Sequence, residues 1–380
     1  MSEAIRPFRI VTPQASIEDL RRRLLSTRWP EQETVDDWSQ GTPLEWLKEI
    51  CDTWANSYDW QQRSAVLNRL DQFVTTIEGL DIHFIHQRSH HRDATPLLMT
   101  HGWPGSVFEF QKVIQPLVNP TEFGGTPDDA FHVVCPSLPG FAFSGKPGST
   151  GWGPRRVAHA WCLLMRRLGY EQFLAHGGDL GAAVASALGR GDCDHCTGIH
   201  ITLAMYTEPV TSGEPSSEER RALDGLERFR RTGNGYEILH RTRPQTVGYG
   251  LVDSPVAQAA WILEKFWEWT DHAGNVADVI GLDVLLDNLT VHWLSADGSS
   301  AARMYWESHH EIDQRKVTTP TGVTVYPREI VTPVREWMAP HYPNIIYWNE
   351  QPRGGHFAAL EVPELFFRDL REFGRRIRGE

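Results

Sequence analysis

The stretch Leu174–Arg190, LAHGGDLGAAVASALGR, decides the fold: a short apolar run enters a glycine-rich turn and leaves it as a helix-like run. Gly177, Gly178, Asp179, Leu180 and Gly181 follow the spacing G-x-nucleophile-x-G, with the aspartate at the centre. Glycines let the backbone turn sharply there, so the middle side chain projects above a sheet with its helix starting behind it. Read alone, the stretch is better explained as an N-cap aspartate in a tight turn. A dinucleotide-binding turn fails, because Asp179 stands where a second glycine must let a pyrophosphate approach, and its charge would repel one.

The flanking pattern supports a sheet. FVTTIEGLDIHFIHQRS reads as two strands joined at Gly79, TPLLMTHGWPG as a buried strand entering a loop, and AFHVVCPSLPGF as another. From RRVAHAWCLLMRRLGY onward a helix, the strand QFLAHGG, the helix LGAAVASALG and the strand GIHITLA alternate, as in a parallel sheet with crossover helices. Residues from about 207 to 314 then read as charged or aromatic helices, and strands return in GVTVYP and NIIYWNE. A helical insertion within one α/β domain explains that order. The first ninety-odd residues read as amphipathic helices such as SIEDLRRRLLSTRW, with Ser16 and a following glutamate as an imperfect capping box.

Composition limits the function. The chain has 380 residues, enough for one large domain with appendages. A formal net charge of −12 and a pI of 5.8 argue against nucleic acid as a partner. No apolar run approaches the roughly twenty residues needed to cross a bilayer, and MSEAIRPFRI lacks a signal peptide's pattern, so a soluble, cytoplasmic protein without a membrane anchor is expected. The five cysteines are odd in number and widely spread, which points to reduced thiols. Cys193 and Cys196 form a CxxC without a second pair, GFAFSGKP is a P-loop spoiled by Pro147, and HHEIDQ is a zinc motif spoiled by Gln314. No metal or cofactor is expected.

Two distant segments give the elbow its chemistry. Upstream, THGWPGS ends a strand where a backbone N–H can help form an oxyanion hole with the N–H that follows the nucleophile. Downstream, RGGHFAALE places His356 in a glycine-flanked loop before a helix. The order nucleophile, acid, histidine is that of an α/β-hydrolase. GVTVYPREI offers Glu329 as the acid, with Asp283, Asp287 and Asp297 as weaker choices inside the insertion.

HGWPGS, SLPGFAFSGKP, GGDLGA, TRPQTVGYGL and RGGHFAALE, in this order, closely resemble the microsomal-type epoxide hydrolases of the α/β-hydrolase superfamily, and PFRIVTPQASIEDLRRRLLSTRWP resembles their N-terminal segment. No counterpart of the membrane forms' anchor is read in this sequence, so a soluble member is what the resemblance leads one to expect. It implies Asp179 as nucleophile, His356 as general base, Glu329 as charge-relay acid, Tyr305 and Tyr236 as acids on the epoxide oxygen, and the backbone N–H groups of Trp103 and Leu180 as oxyanion hole. It further implies an α/β-hydrolase fold with a mostly parallel sheet, divided into an N-terminal segment (1–95), a first core part (96–206), a helical cap (207–314) and a second core part (315–380). The implied reaction turns a small hydrophobic epoxide and water into a vicinal diol through an Asp ester, without cofactor. A carboxylate suits an epoxide, which has no carbonyl to accept attack. A haloalkane dehalogenase-like hydrolase and a non-catalytic ligand-binding protein of the same fold are the alternatives. The particular epoxide, the stereochemistry, a detoxifying or biosynthetic role and the oligomeric state, a homodimer included, are not legible.

Overall fold

The computed structural model describes residues 4–203, 213–311 and 313–380. Among them, nine strands form one sheet: β1 (Arg6–Phe8), β2 (Gln72–Ile77), β3 (Leu80–Gln87), β4 (Thr95–Thr100), β5 (Phe131–Pro136), β6 (Phe173–Gly177), β7 (Cys196–Ile201), β8 (Thr321–Val325) and β9 (Ile345–Glu350). Their order is β1-β2-β3-β5-β4-β6-β7-β8-β9. Pairings from β1 through β3 to β5 are antiparallel, and those from β5 through β4 to β9 are parallel.

Burial on both faces explains the continuous apolar runs of the central strands. Leu98 of β4, Val134 of β5 and Ala175 of β6 belong to one core, and their neighbours Leu97, Val133 and Leu174 to the other. The first core holds the Pro154–Arg167 and Asp179–Ala187 helices, the second the Pro363–Arg378 helix. Trp161, fully buried, also donates its Nε1–H to Thr100 Oγ1 at the end of β4 (3.1 Å). The β2–β3 turn has positive φ at both Glu78 and Gly79, the geometry of a tight hairpin.

Between β7 and β8 the described chain is helical from Ser217 to His310, with short breaks. The boundary drawn between residues 206 and 207 lies outside the described residues. N-terminal helices hold this insertion from the side. Trp54 Nε1 donates to Thr290 Oγ1 (2.9 Å), Arg63 pairs with Asp287 (2.6 Å), and Arg23 donates to the Asp253 carbonyl (2.7 Å). No helix among the described residues is long and apolar enough to cross a membrane.

Two local expectations are corrected. The first helix runs Gln14–Leu25 with Pro13 at its N-cap, so Ser16 lies inside it and caps nothing. Its φ near −58° lets Pro13 take the boundary without needing an N–H. Cys162 and Cys193 form a disulfide across 31 residues, rather than remaining thiols, because the Pro154–Arg167 helix and the segment before β7 bring their Cα atoms within 6.1 Å. Cys196, the other half of the CxxC, is a buried free thiol.

Candidate active site

β6 ends at Gly177 and delivers Asp179 at the first position of its helix, with φ of 48°. A left-handed conformation is unfavourable for an aspartate and is held by the packing around it. Gly181 makes the close approach possible: a Cβ there would stand 2.0 Å from the Thr100 carbonyl oxygen. The elbow therefore packs directly on the end of β4, which leads into HGWPG.

That contact places Trp103 N–H on Asp179 Oδ1 at 2.9 Å, and the Leu180 N–H also reaches the carboxylate. Burial raises the Asp179 pKa, opposed by His356 and by these two N–H groups. On the other side, His356 Nε2 lies 3.8 Å from Asp179 Oδ2. His356 Nδ1–H donates to Glu329 Oε1 at 2.6 Å, and the same oxygen accepts the Ile330 N–H at 2.8 Å. Burial would lower the His356 pKa, but Glu329, Asp179 and Glu109 outweigh it and raise it to about 9. The other candidate acids are engaged elsewhere. Asp287 takes Arg63 and Tyr58, Asp283 lies 3.7 Å from Arg63, and Asp297 accepts from His292 (2.8 Å) and from the Ala142 N–H of the GFAFSGKP loop.

Tyr236 sits on the Gly235–Thr242 helix and Tyr305 on the Gly298–His310 helix, both buried, with ring centroids 5.8 Å apart. Burial first, and the Asp179 charge second, hold both phenols well above their usual pKa, so they are protonated donors. Among the described residues the Tyr305 hydroxyl is buried without a well-formed hydrogen bond, with the Asp179 charge and the Tyr236 side chain acting on it. Trp103 joins the two halves: its N–H meets the carboxylate, while its ring stacks on Tyr236 (4.8 Å, 14°) and meets Tyr305 edge-on (6.1 Å).

Three side chains here escape sequence reasoning. Trp269 ends the Pro255–Trp269 helix with its ring 5.1 Å from His356 and 5.3 Å from Tyr236, a place no periodicity reveals. The Trp103 ring was legible only as a neighbour of a backbone donor. Glu109 sits in VFEF with its carboxyl over Gly105, and burial pushes its pKa up to about 8, with His356 opposing and Asp179 adding. An acid inside an apolar run was its available signal. Among the described residues no three His, Cys, Asp or Glu side chains group as a metal site. Chemically, the arrangement sets the Asp179 carboxyl group against two N–H donors, a Glu-supported imidazole and a pair of phenols.

A family model described as the epoxide hydrolase N terminus matches residues 5–110, and one described as the alpha/beta hydrolase fold matches residues 95–232. A Stigmatella aurantiaca protein carrying an epoxide hydrolase name is 48% identical over 99% of this chain and 86% of its own. Epoxide hydrolase 1 of Sus scrofa is 35% identical over 98% of this chain and 88% of its own. The solved Aspergillus niger epoxide hydrolase superposes with a TM-score of 0.89 at 31% identity, covering 98% of this chain and 97% of that one. Juvenile hormone epoxide hydrolase of Bombyx mori superposes with a TM-score of 0.88 at 29% identity, covering 100% and 96%.

Proposed function

Because the chain belongs to the epoxide hydrolase family, with the α/β-hydrolase fold, and acts as an epoxide hydrolase on small epoxides, we propose that it works through a covalent ester on Asp179. The observation that carries this reading is the position of the Asp179 carboxylate. Oδ1 is held by the Trp103 N–H while Oδ2 faces His356, with two phenols nearby.

Oδ2 attacks an epoxide carbon, the carbon–oxygen bond of the ring breaks, and a phenol of Tyr305 or Tyr236 protonates the departing alkoxide. In the free enzyme His356 carries a proton, since three carboxyl groups raise its pKa to about 9. Esterification removes the Asp179 charge, which loosens that proton so that it can restore the tyrosine. The neutral imidazole then takes a proton from water, and the water oxygen bonds to the Asp179 carbonyl carbon. Oδ1 becomes the oxyanion and is stabilised by the Trp103 and Leu180 N–H groups. Collapse breaks the ester bond, the leaving alkoxide takes the remaining water proton from the new carboxyl group, and the diol departs with Asp179 again a carboxylate and His356 again protonated. Glu329 orients the imidazole and favours its cationic form.

The helices from Ser217 to His310 form the cap in this reading, contributing Tyr236, Tyr305 and Trp269. Aromatic walls favour a hydrophobic epoxide. Phenols that protonate an alkoxide suit epoxides better than haloalkanes, whose leaving halide needs no proton. A cytoplasmic location belongs to the same proposal, with the Cys162–Cys193 disulfide weighing against it; fractionation of the source cells decides.

His356→Gln tests the base. With a racemic epoxide it should form an ester adduct, visible as a mass increase of the protein, that does not hydrolyse. Turnover at the native rate would remove His356 from the role.

A further inference from the structure

The chain on both sides of His356 is tied to the end of the Pro255–Trp269 helix by contacts that the reaction above leaves unused. Gly354 N–H donates to Asp271 Oδ2 (2.9 Å), and His356 N–H donates to the Trp269 carbonyl (2.9 Å). The carboxylate of Glu361 closes the connection. Its Oε1 accepts the Phe357 N–H and its Oε2 the Asp271 N–H, each at 2.8 Å, and the Gly355 N–H also reaches it. The approach is tight: a Cβ on Gly355 would stand 2.3 Å from the Trp269 carbonyl oxygen and 3.1 Å from Glu361 Oε2. The acid partner is fastened to the same loop, since Arg328 and Gly355, each one residue before Glu329 and His356, form a parallel bridge.

We infer that Glu361 is a positioning residue for the hydrolytic step, clamping the backbone that carries His356 to the Trp269–Asp271 turn. The inference rests on the two-step reading of the preceding subsection. Both oxygens of Glu361 act as acceptors, so a glutamine, with one acceptor and one donor, must turn an NH2 group against an N–H. Ring opening depends on Asp179 and the two tyrosines, none of which hangs from this loop. Loosening the clamp therefore displaces the base without displacing the nucleophile. Burial pushes the Glu361 pKa up to about 7, against the pull of its N–H donors, so the full acceptor set is present above neutral pH.

The test is a single turnover of the full chain in excess over the fastest substrate from a panel of racemic terminal epoxides, styrene oxide included. Tryptophan fluorescence follows ester formation, and acid quench with mass spectrometry follows ester decay. Glu361→Gln should slow decay about tenfold, as misplacement of a general base does. Formation should keep its rate, so steady-state kcat and KM fall in parallel and kcat/KM holds. General loosening of the fold would instead slow both phases or reduce the active fraction, and either result overturns the inference, as does decay at the native rate. Should Glu361→Gln fail to fold, Asp271→Asn, which weakens the reverse half of the clamp, must show the same selective loss of decay. A wild type that forms no ester refutes the two-step reading itself, whereas a wild-type ester with unaltered Glu361→Gln decay refutes only the clamp.

Discussion

Replacing Glu329 by Gln removes the carboxylate hydrogen-bonded to the His356 imidazole. Its Oε1 lies 2.6 Å from His356 Nδ1, with the two side chains 0% and 4% exposed. Burial alone would lower the imidazole pKa, yet it stands at about 9 rather than 6.5, and Glu329 is the largest of the charges that raise it. That rise corresponds to about 3 kcal/mol of preference for the imidazolium. The imidazolium forms as water attacks the ester, so the glutamine variant should lose most of that preference in the hydrolytic transition state. Ester decay should slow by about a hundredfold. Formation should change little, because it needs no new charge on His356. Single-turnover quench with intact-protein mass spectrometry separates the phases, and the variant should accumulate ester during steady turnover. The pH midpoint of decay should move down together with the imidazole pKa. Decay within twofold of the wild type, or equal slowing of formation and decay, would refute the reasoning and return the acid role to another carboxylate.

Tyr305→Phe and Tyr236→Phe should each slow ester formation by about tenfold or more and together by about a thousandfold, with Tyr305→Phe the larger single loss. Stopped-flow fluorescence reads this directly, and native-rate formation in the double variant would assign ring opening to another donor. Gly102→Ala would set a Cβ 2.3 Å from Asp179 Cβ and 2.4 Å from its Oδ1. It should cut ester formation by about a hundredfold or more while circular dichroism stays native; full activity would show that the strand end yields instead. The raised His356 pKa stabilises the fold fully below about 6.5 and no longer does so above about 9. The stability difference between wild type and His356→Gln should therefore shrink by up to about 3 kcal/mol across that window in urea titrations, and a constant difference would contradict the shift.

Much of this was legible because strands buried on both faces announce themselves as apolar runs between turns. β2 through β9 fall where the sequence places strands, whereas β1 is three residues on a sheet edge and leaves no periodicity to read. Gly79 marked its hairpin since only a residue tolerant of positive φ suits that turn. Asp179 and His356 stand in local glycine-rich patterns, which the backbone geometry demands, and Glu329 follows from its strand end. Tyr236 and Tyr305 came from resemblance alone, because a tyrosine in an aromatic-rich helix is ordinarily packing. The Cys162–Cys193 bond and the contacts of Trp269 and Glu361 depend on segments brought together only by the fold. Ser16 misled because a serine followed by an acid imitates a cap wherever the true boundary lies, here at Pro13.

The covalent role of Asp179 is tested most directly by one turnover in water enriched in heavy oxygen, with enzyme in excess over epoxide. Hydrolysis of an ester at its carbonyl carbon puts the water oxygen into the carboxylate and sends the original Oδ2 out in the diol. Peptide mass spectrometry should therefore find the label in the peptide holding Asp179, and the diol of that first turnover should be unlabelled. A labelled diol with an unlabelled Asp179 would mean that water attacks the epoxide directly, and the account would fall.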